Sequence, residues 1–63
     1  MPETKLEMAA RHVAEQEARI ARQRVLIGGL DAANAPTSEA KKLLGTMIEL
    51  LGIFRQDHDR LLN

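Results

Sequence analysis

Two histidines and their acidic neighbours are the residues of this sequence best suited to metal chemistry. His12 and His58 are the only histidines, and Glu15, Asp57 and Asp59 lie near them in the chain. The sequence lacks the Glu-x-x-His pairs and the His-Glu-x-x-His motif that build metal sites on helices. Asp57 and Asp59 are also expected to point away from His58 on a helix. We therefore predict no metal site and no cofactor, and expect His58 to fill one end of a helical core.

A second candidate for chemistry is the basic cluster of Arg19, Arg22 and Arg24, which could lie along the phosphates of a nucleic acid. Against this, acidic and basic residues balance at nine each, and no Trp or Tyr is present to stack on bases. A solvated helix face explains the charges as well, with alternating signs four residues apart at Glu7, Arg11, Glu15 and Arg19. Binding to nucleic acid is kept as an alternative function.

No arrangement of nucleophiles or glycines points to catalysis. Thr37 and Ser38 are explained as the start of a helix, and Thr46 lies in mid-helix without a basic neighbour. Gly28 and Gly29 lack the preceding strand and the lysine of a phosphate-binding loop. The sequence therefore predicts that the protein is not an enzyme.

Capping residues indicate where the supporting helices begin and end. Thr4 and Glu7 form a capping-box pair at the start of the first helix, and Asn34 suits the left-handed position that ends one. Pro36 disfavours helix at the residue before it, and Thr37 is a suitable N-cap for the second helix.

We predict one all-α domain over residues 1–63, with helix 1 at about 4–33, a turn at 34–37 and helix 2 at about 38–62. Glycine costs about 1 kcal/mol relative to Ala inside a helix. Whether helix 1 continues through Gly28 and Gly29 therefore stays open.

Apolar residues recur at seven-residue intervals in both halves of the chain, a pattern typical of packed antiparallel helices. The first half has Leu6, Val13, Ile20 and Ile27, with Ala9, Gln16, Gln23 and Leu30 between them. The second half has Ala40, Met47, Phe54 and Leu61, with Leu44, Leu51 and His58 between them. A chain that folds back near Ala33 aligns these patterns layer by layer, for example Gln16 with Leu51. We therefore predict an antiparallel, coiled-coil-like hairpin.

The chain is too short to bury much apolar surface alone. A monomer of this size buries about 60% of its unfolded surface, and the sequence has no cysteine that could form a disulfide. The apolar arc of helix 2 is also wider than a two-helix seam needs. We predict a homodimeric four-helix bundle, with a tetramer as the next possibility. Its predicted core is Leu6, Val13, Ile20, Ile27, Leu43, Leu44, Met47, Leu50, Leu51, Phe54 and Leu61.

The predicted surface between hairpins combines the leucine-rich face of helix 2 with a line of small residues on helix 1. Its members are Leu43, Leu44, Met47, Ile48, Leu50, Leu51, Phe54, Ala14, Ala18, Ala21 and Val25. Gln16 and Gln23 either hydrogen-bond across the two-fold axis of the dimer or reach out to the edge of the seam. Gly45 and Gly52 either allow close approach of a partner or are merely tolerated on an exposed face.

The predicted function is that of a non-enzymatic, homo-oligomeric interaction or structural module. A further alternative is an adaptor whose helix 2 face binds a helix of another protein. The longest apolar runs, 25–30 and 50–54, fall far short of the roughly 20 residues that span a bilayer. The N-terminal residues lack the pattern of a signal peptide. We therefore expect a cytoplasmic protein without a membrane partner.

Three segments resemble a group of short bacterial helical-hairpin proteins that have no assigned activity. They are His12-Val13-Ala14-Glu15, Ile20-Ala21-Arg22-Gln23-Arg24 and Asp57-His58-Asp59-Arg60-Leu61-Leu62. The resemblance extends over nearly the whole chain and implies a complete small protein with this fold. It implies no functional residue.

Overall fold

The protein, seen in a computed structural model that describes residues 2–62, is a pair of helices. Helix α1 runs over Lys5–Ala32 and helix α2 over Ser38–Leu62. The two helices pack against each other, and residues 2–62 contain no strand. The prediction of an all-helical chain built from two packed helices is confirmed.

Helix α1 begins at the predicted capping box. The Glu7 amide donates to Thr4 Oγ1 at 3.0 Å, and the Thr4 amide donates to Glu7 Oε1 at 3.2 Å. Each bond satisfies a main-chain N–H that the first turn of a helix leaves without a partner. The helix then continues through Gly28 and Gly29 to Ala32, which settles the question that the sequence left open.

The loop between the helices is a tight reversal centred on Asn34. This residue has a φ of 57°, the left-handed conformation expected of it. Its amide donates to the Asp31 carbonyl at 3.0 Å, and the Ala35 amide donates to the Leu30 carbonyl at 2.9 Å. These two bonds form a Schellman motif and satisfy the carbonyls at the end of α1, so the chain can turn back at once.

The helices lie antiparallel, as contacts between them demonstrate. Gln16 reaches Met47 and Gln23 reaches Ala40, so positions later in α1 meet positions earlier in α2. The hairpin measures 47 × 22 × 12 Å, which is long and flat. None of the helices within residues 2–62 has the length and apolar character required to cross a membrane.

The core of this hairpin is small. The buried apolar residues are Ala9, Ile20, Ile27 and Leu51. Four residues of the predicted bundle core are more than a third exposed in the hairpin, namely Leu6, Leu43, Leu50 and Leu61. Two helices present too little surface to cover them.

Candidate interaction surface

Two glutamines join the helices at the centre of the hairpin. Gln16 is 1% exposed, and its Nε2 donates to the Met47 carbonyl at 2.9 Å. Gln23 is 8% exposed, and its Nε2 donates to the Ala40 carbonyl at 3.0 Å. Gln23 follows Gln16 by seven residues on α1, and Met47 follows Ala40 by seven on α2. The same contact therefore repeats after two helical turns. The Gln16 Oε1 atom is buried and has no hydrogen-bond partner.

These bonds differ from both arrangements that the sequence suggested for the glutamines. Each amide reaches a main-chain carbonyl of the same chain, rather than a partner across a two-fold axis or water at the seam edge. A main-chain carbonyl has two lone pairs, so it can accept from a glutamine while keeping its helical bond. The glutamines therefore hold one helix of the hairpin to the other.

The two histidines lie apart from any metal-binding arrangement. The His12 ring packs against Phe54, with 5.5 Å between ring centroids and a tilt of 37°. His58 Nδ1 lies 3.4 Å from Asp59 Oδ1, so the expectation that Asp59 points away from His58 was wrong. The two side chains are adjacent in sequence and bend toward each other at the helix surface. Residues 2–62 contain no group of three or more His, Cys, Asp or Glu side chains that could hold a metal ion.

An exposed ion-pair cluster ties the N-terminal segment to α1. Arg11 donates three hydrogen bonds to the Glu3 carboxylate, at 2.9, 3.0 and 3.3 Å, and another to Glu15 at 3.0 Å. Hydrogen bonding to Arg11 lowers the pKa of Glu3 below its ordinary 4.5, and the two carboxylates raise the pKa of Arg11. Of the ion pairs expected between Glu7, Arg11, Glu15 and Arg19, the Arg11–Glu15 pair forms, and Glu7 accepts a hydrogen bond from the Thr4 amide.

The three clustered arginines do not converge on one face. At about 100° per residue, Arg19 and Arg24 point roughly 140° apart around α1. By the same measure, the angle around the helix axis between Arg22 and Arg24 is larger than the angle between Arg22 and Arg19. Such a spread does not favour a continuous track for a phosphate backbone.

One broad side of the hairpin carries five exposed large apolar side chains. His12 and Phe54 meet there across the seam. Met8, His12, Arg19 and Leu26 follow one line along α1, because they are spaced four, seven and seven residues apart. On α2, Leu43, Leu50, Phe54 and Leu61 are spaced seven, four and seven apart. We call this side the apolar side, and its exposed members are Met8 (41%), Leu26 (51%), Leu43 (50%), Leu50 (36%) and Leu61 (41%).

The opposite broad side is charged. Glu17 and Arg55 meet across the seam there, with 4.0 Å between carboxylate and guanidinium. Arg24 lies seven residues after Glu17, and Ile48 and Lys41 lie seven and fourteen residues before Arg55. We call this the charged side. Ile48 is 44% exposed among these charges. The two broad sides thus differ in chemical character.

The predicted contact residues divide into three groups in the structure. Leu51 is buried against α1, and Leu44, Met47 and Phe54 are half-buried in the same seam. Leu43, Ile48 and Leu50 are exposed. The small residues Ala14, Ala18, Ala21 and Val25 are exposed on the face of α1 that points away from α2.

The sequence interpretation missed Met8 and Leu26 as members of the exposed apolar side. Their four- and seven-residue spacing to His12 was available as a signal. It becomes informative only once His12 is known to contact Phe54, since that contact identifies the side of the seam. Residues 2–62 contain no pocket.

Comparisons with protein-family models, curated proteins and solved structures gave no match to this chain. The exposed surfaces of the hairpin therefore have to be interpreted from their own chemistry.

Proposed function

We propose that this protein is a non-enzymatic helical module that pairs with a second copy of itself through the apolar side, forming a four-helix bundle. The supporting observation is that residues 2–62 have four buried apolar residues and five large exposed ones on a single broad side. Covering exposed apolar side chains that share one side of a helical hairpin is a common basis of self-association.

The energetics favour pairing over a lone hairpin. Fully burying a Leu or Met side chain contributes about 1.5–3 kcal/mol relative to exposure. The five residues of the apolar side are already partly covered, so completing their burial contributes several kcal/mol in total, on the order of the whole stability of a small domain. A typical partner surface of about 800 Å² is roughly a sixth of the hairpin's 4849 Å².

The charged side stays outside such a bundle and is available to other molecules. The proposed role is that of a structural or interaction module, located in the cytoplasm, where the absence of cysteine is ordinary. An adaptor that binds a helix of another protein on the same apolar side is the competing possibility, because both uses require the same exposed leucines.

The test is absolute mass by light scattering after size exclusion, over a hundredfold range of concentration. We expect twice the chain mass of 7.0 kDa for the wild type. Leu50→Glu should return the protein to a monomer, because it puts a charge at the centre of the apolar side. Ile48→Glu is the matched control on the charged side and should remain a dimer. A wild-type monomer that stays helical at every concentration would overturn self-pairing and favour the adaptor.

A further inference from the structure

The apolar side of α1 has a pattern that mirrors itself about Glu17. Met8 and Leu26 lie nine residues on either side of this position, and Glu15 and Arg19 lie two residues on either side. All four belong to the apolar side, since Glu15 follows Met8 by seven residues and Arg19 precedes Leu26 by seven. If a second α1 lies antiparallel to the first and the two cross at Glu17, Met8 faces Leu26 of the other copy. Glu15 likewise faces Arg19 of the other copy.

The two charged residues are suitably placed for such pairing. Within residues 2–62, Arg19 has no ion-pair partner, although it stands among exposed apolar side chains. Glu15 binds Arg11 through Oε1 and is about half exposed, so its carboxylate can accept a second donor. An arginine from a second copy would complete this pair.

Helix α2 offers a matching centre at the same height. Leu43 and Leu50 stand on either side of Met47, four residues before it and three after it. The Met47 carbonyl is the acceptor for Gln16, which is the neighbour of Glu17. The midpoint of the leucine pair on α2 and the midpoint of the mirrored pattern on α1 are therefore level with each other. One two-fold axis can serve both helices.

We infer that two copies join with their apolar sides together, about a two-fold axis that crosses the helices at the level of Glu17 and Met47. Each α1 then lies antiparallel to the α1 of the other copy, and each α2 to the other α2. Met8 packs against Leu26 of the second copy, Leu43 against its Leu50, and Arg19 pairs with its Glu15. Such mutual contacts are what a two-fold interface requires. This inference rests on the proposed function and specifies its geometry.

The other simple arrangement has its two-fold axis parallel to the helices. It would lay α1 on the α2 of the second copy and press Glu15 and Arg19 against Leu50 and its neighbours. Removing charges from water without a partner is costly. We call the arrangement inferred above, with its axis across the helices, the mirrored arrangement. It avoids that cost because Arg19 pairs with Glu15 of the second copy.

Disulfide trapping tests the geometry directly, because the chain has no cysteine of its own. Met8→Cys and Leu26→Cys are made in separate chains, mixed and oxidised mildly. We expect a disulfide-linked dimer from the mixture and none from either variant alone. The control mixture is Leu26→Cys with Leu43→Cys, which the mirrored arrangement holds about 20 Å apart along the helices.

A charge exchange tests the ion pair between copies. Glu15→Arg gives a chain with two positive side chains on the apolar side of α1, and Arg19→Glu gives a chain with two negative ones. Each variant alone should dimerise at least tenfold more weakly than the wild type. In native mass spectrometry, their mixture should form mixed dimers well above the half expected from random pairing, which effects within one helix would not produce.

The outcomes separate the geometry from the function it rests on. A wild-type dimer that traps Leu26→Cys with Leu43→Cys, but not Met8→Cys with Leu26→Cys, overturns the mirrored arrangement and leaves self-pairing intact. Random pairing in the charge exchange counts against the arrangement in the same way. A monomeric wild type overturns both proposals at once.

Discussion

The side-chain amide of Gln16 donates to the main-chain carbonyl of Met47 at 2.9 Å, inside a hairpin whose other buried residues are mostly apolar. The same residue holds the one buried side-chain acceptor within residues 2–62 that lacks a partner, its Oε1. A buried polar atom without a hydrogen bond costs about 1–3 kcal/mol. Gln16 therefore combines a bond that aligns the helices with an atom that destabilises them.

Replacing Gln16 by methionine should leave the thermal unfolding midpoint unchanged or raise it. Methionine has a similar length and removes the unpaired Oε1, while the Met47 carbonyl keeps its helical partner. Gln16→Ala should instead lower the free energy of unfolding by about 2 kcal/mol, because it leaves a cavity. Circular dichroism at fixed protein concentration measures both changes. A methionine variant less stable than the wild type would show that the Gln16–Met47 bond outweighs the cost of the buried oxygen.

Substitutions at two neighbouring residues of α1 can distinguish contact through the apolar side from contact through the alanine line. The alanine line is the face of α1 that points away from α2 and carries Ala14, Ala18, Ala21 and Val25. Leu26 belongs to the apolar side, and Val25, which is 76% exposed, belongs to the outward face. We expect Leu26→Glu to raise the dimer dissociation constant at least tenfold, since it places a charge in the interface. Val25→Glu should leave it unchanged. Sedimentation equilibrium measures both, and the reverse ranking would assign the contact to the alanine line.

Asn34 should tolerate glycine but not a β-branched residue. Its φ of 57° lies in the left-handed region, where a side chain with a Cβ costs about 1–2 kcal/mol and glycine costs none. Asn34→Gly should match or exceed the wild-type unfolding midpoint, and Asn34→Val should lower it. Ala33→Val, one residue earlier at a φ of -88°, is the control for the β-branched side chain itself. Equal effects of the two valine substitutions would contradict this explanation.

The glycines inside the helices should accept alanine with a gain in stability. A Cβ placed on Gly29 or Gly52 meets nothing within 4 Å, and both have ordinary helical backbone. Each substitution should raise the free energy of unfolding by about 0.5–1 kcal/mol, because alanine loses less backbone freedom on folding. Chemical denaturation provides the measurement. If Gly52→Ala weakened the dimer while Gly29→Ala did not, a partner would have to approach closely at Gly52, outside the apolar side.

The ion pair at the N-terminus predicts a small acid dependence. Hydrogen bonding to Arg11 lowers the pKa of Glu3 in the folded chain below the 4.5 of the unfolded chain. The stabilisation is therefore present above pH 4.5 and disappears as the pH falls through the folded value. Arg11→Gln should move the Glu3 pKa, followed by NMR of its carboxyl carbon, back up toward 4.5. Arg22→Gln, which removes an arginine elsewhere on α1, should leave that pKa in place.

Local signals were sufficient to predict the elements of this fold. The capping box at Thr4 and Glu7 and the left-handed Asn34 each depend on bonds within a few residues, so the sequence carries them directly. The seven-residue spacing of apolar residues then predicts which faces pack.

Relations across the seam were harder to predict. The sequence suggests that Gln16 faces Leu51, and the structure has its amide on the carbonyl of Met47, one turn earlier on α2. Residue types do not indicate which main-chain carbonyl a flexible glutamine side chain will reach. The side on which Met8 and Leu26 lie depends likewise on the direction in which α2 packs, which the ring contact of His12 with Phe54 reveals.

The unlike broad sides of this flat hairpin have a consequence for valency. Pairing through one side leaves two copies of the other, each with its own Glu17–Arg55 bridge, directed to opposite sides of the bundle. In the proposed dimer, any molecule that recognises this charged surface therefore meets two identical docking faces. Such a particle can bridge two identical targets, and its apparent affinity for a clustered target exceeds that of a single face.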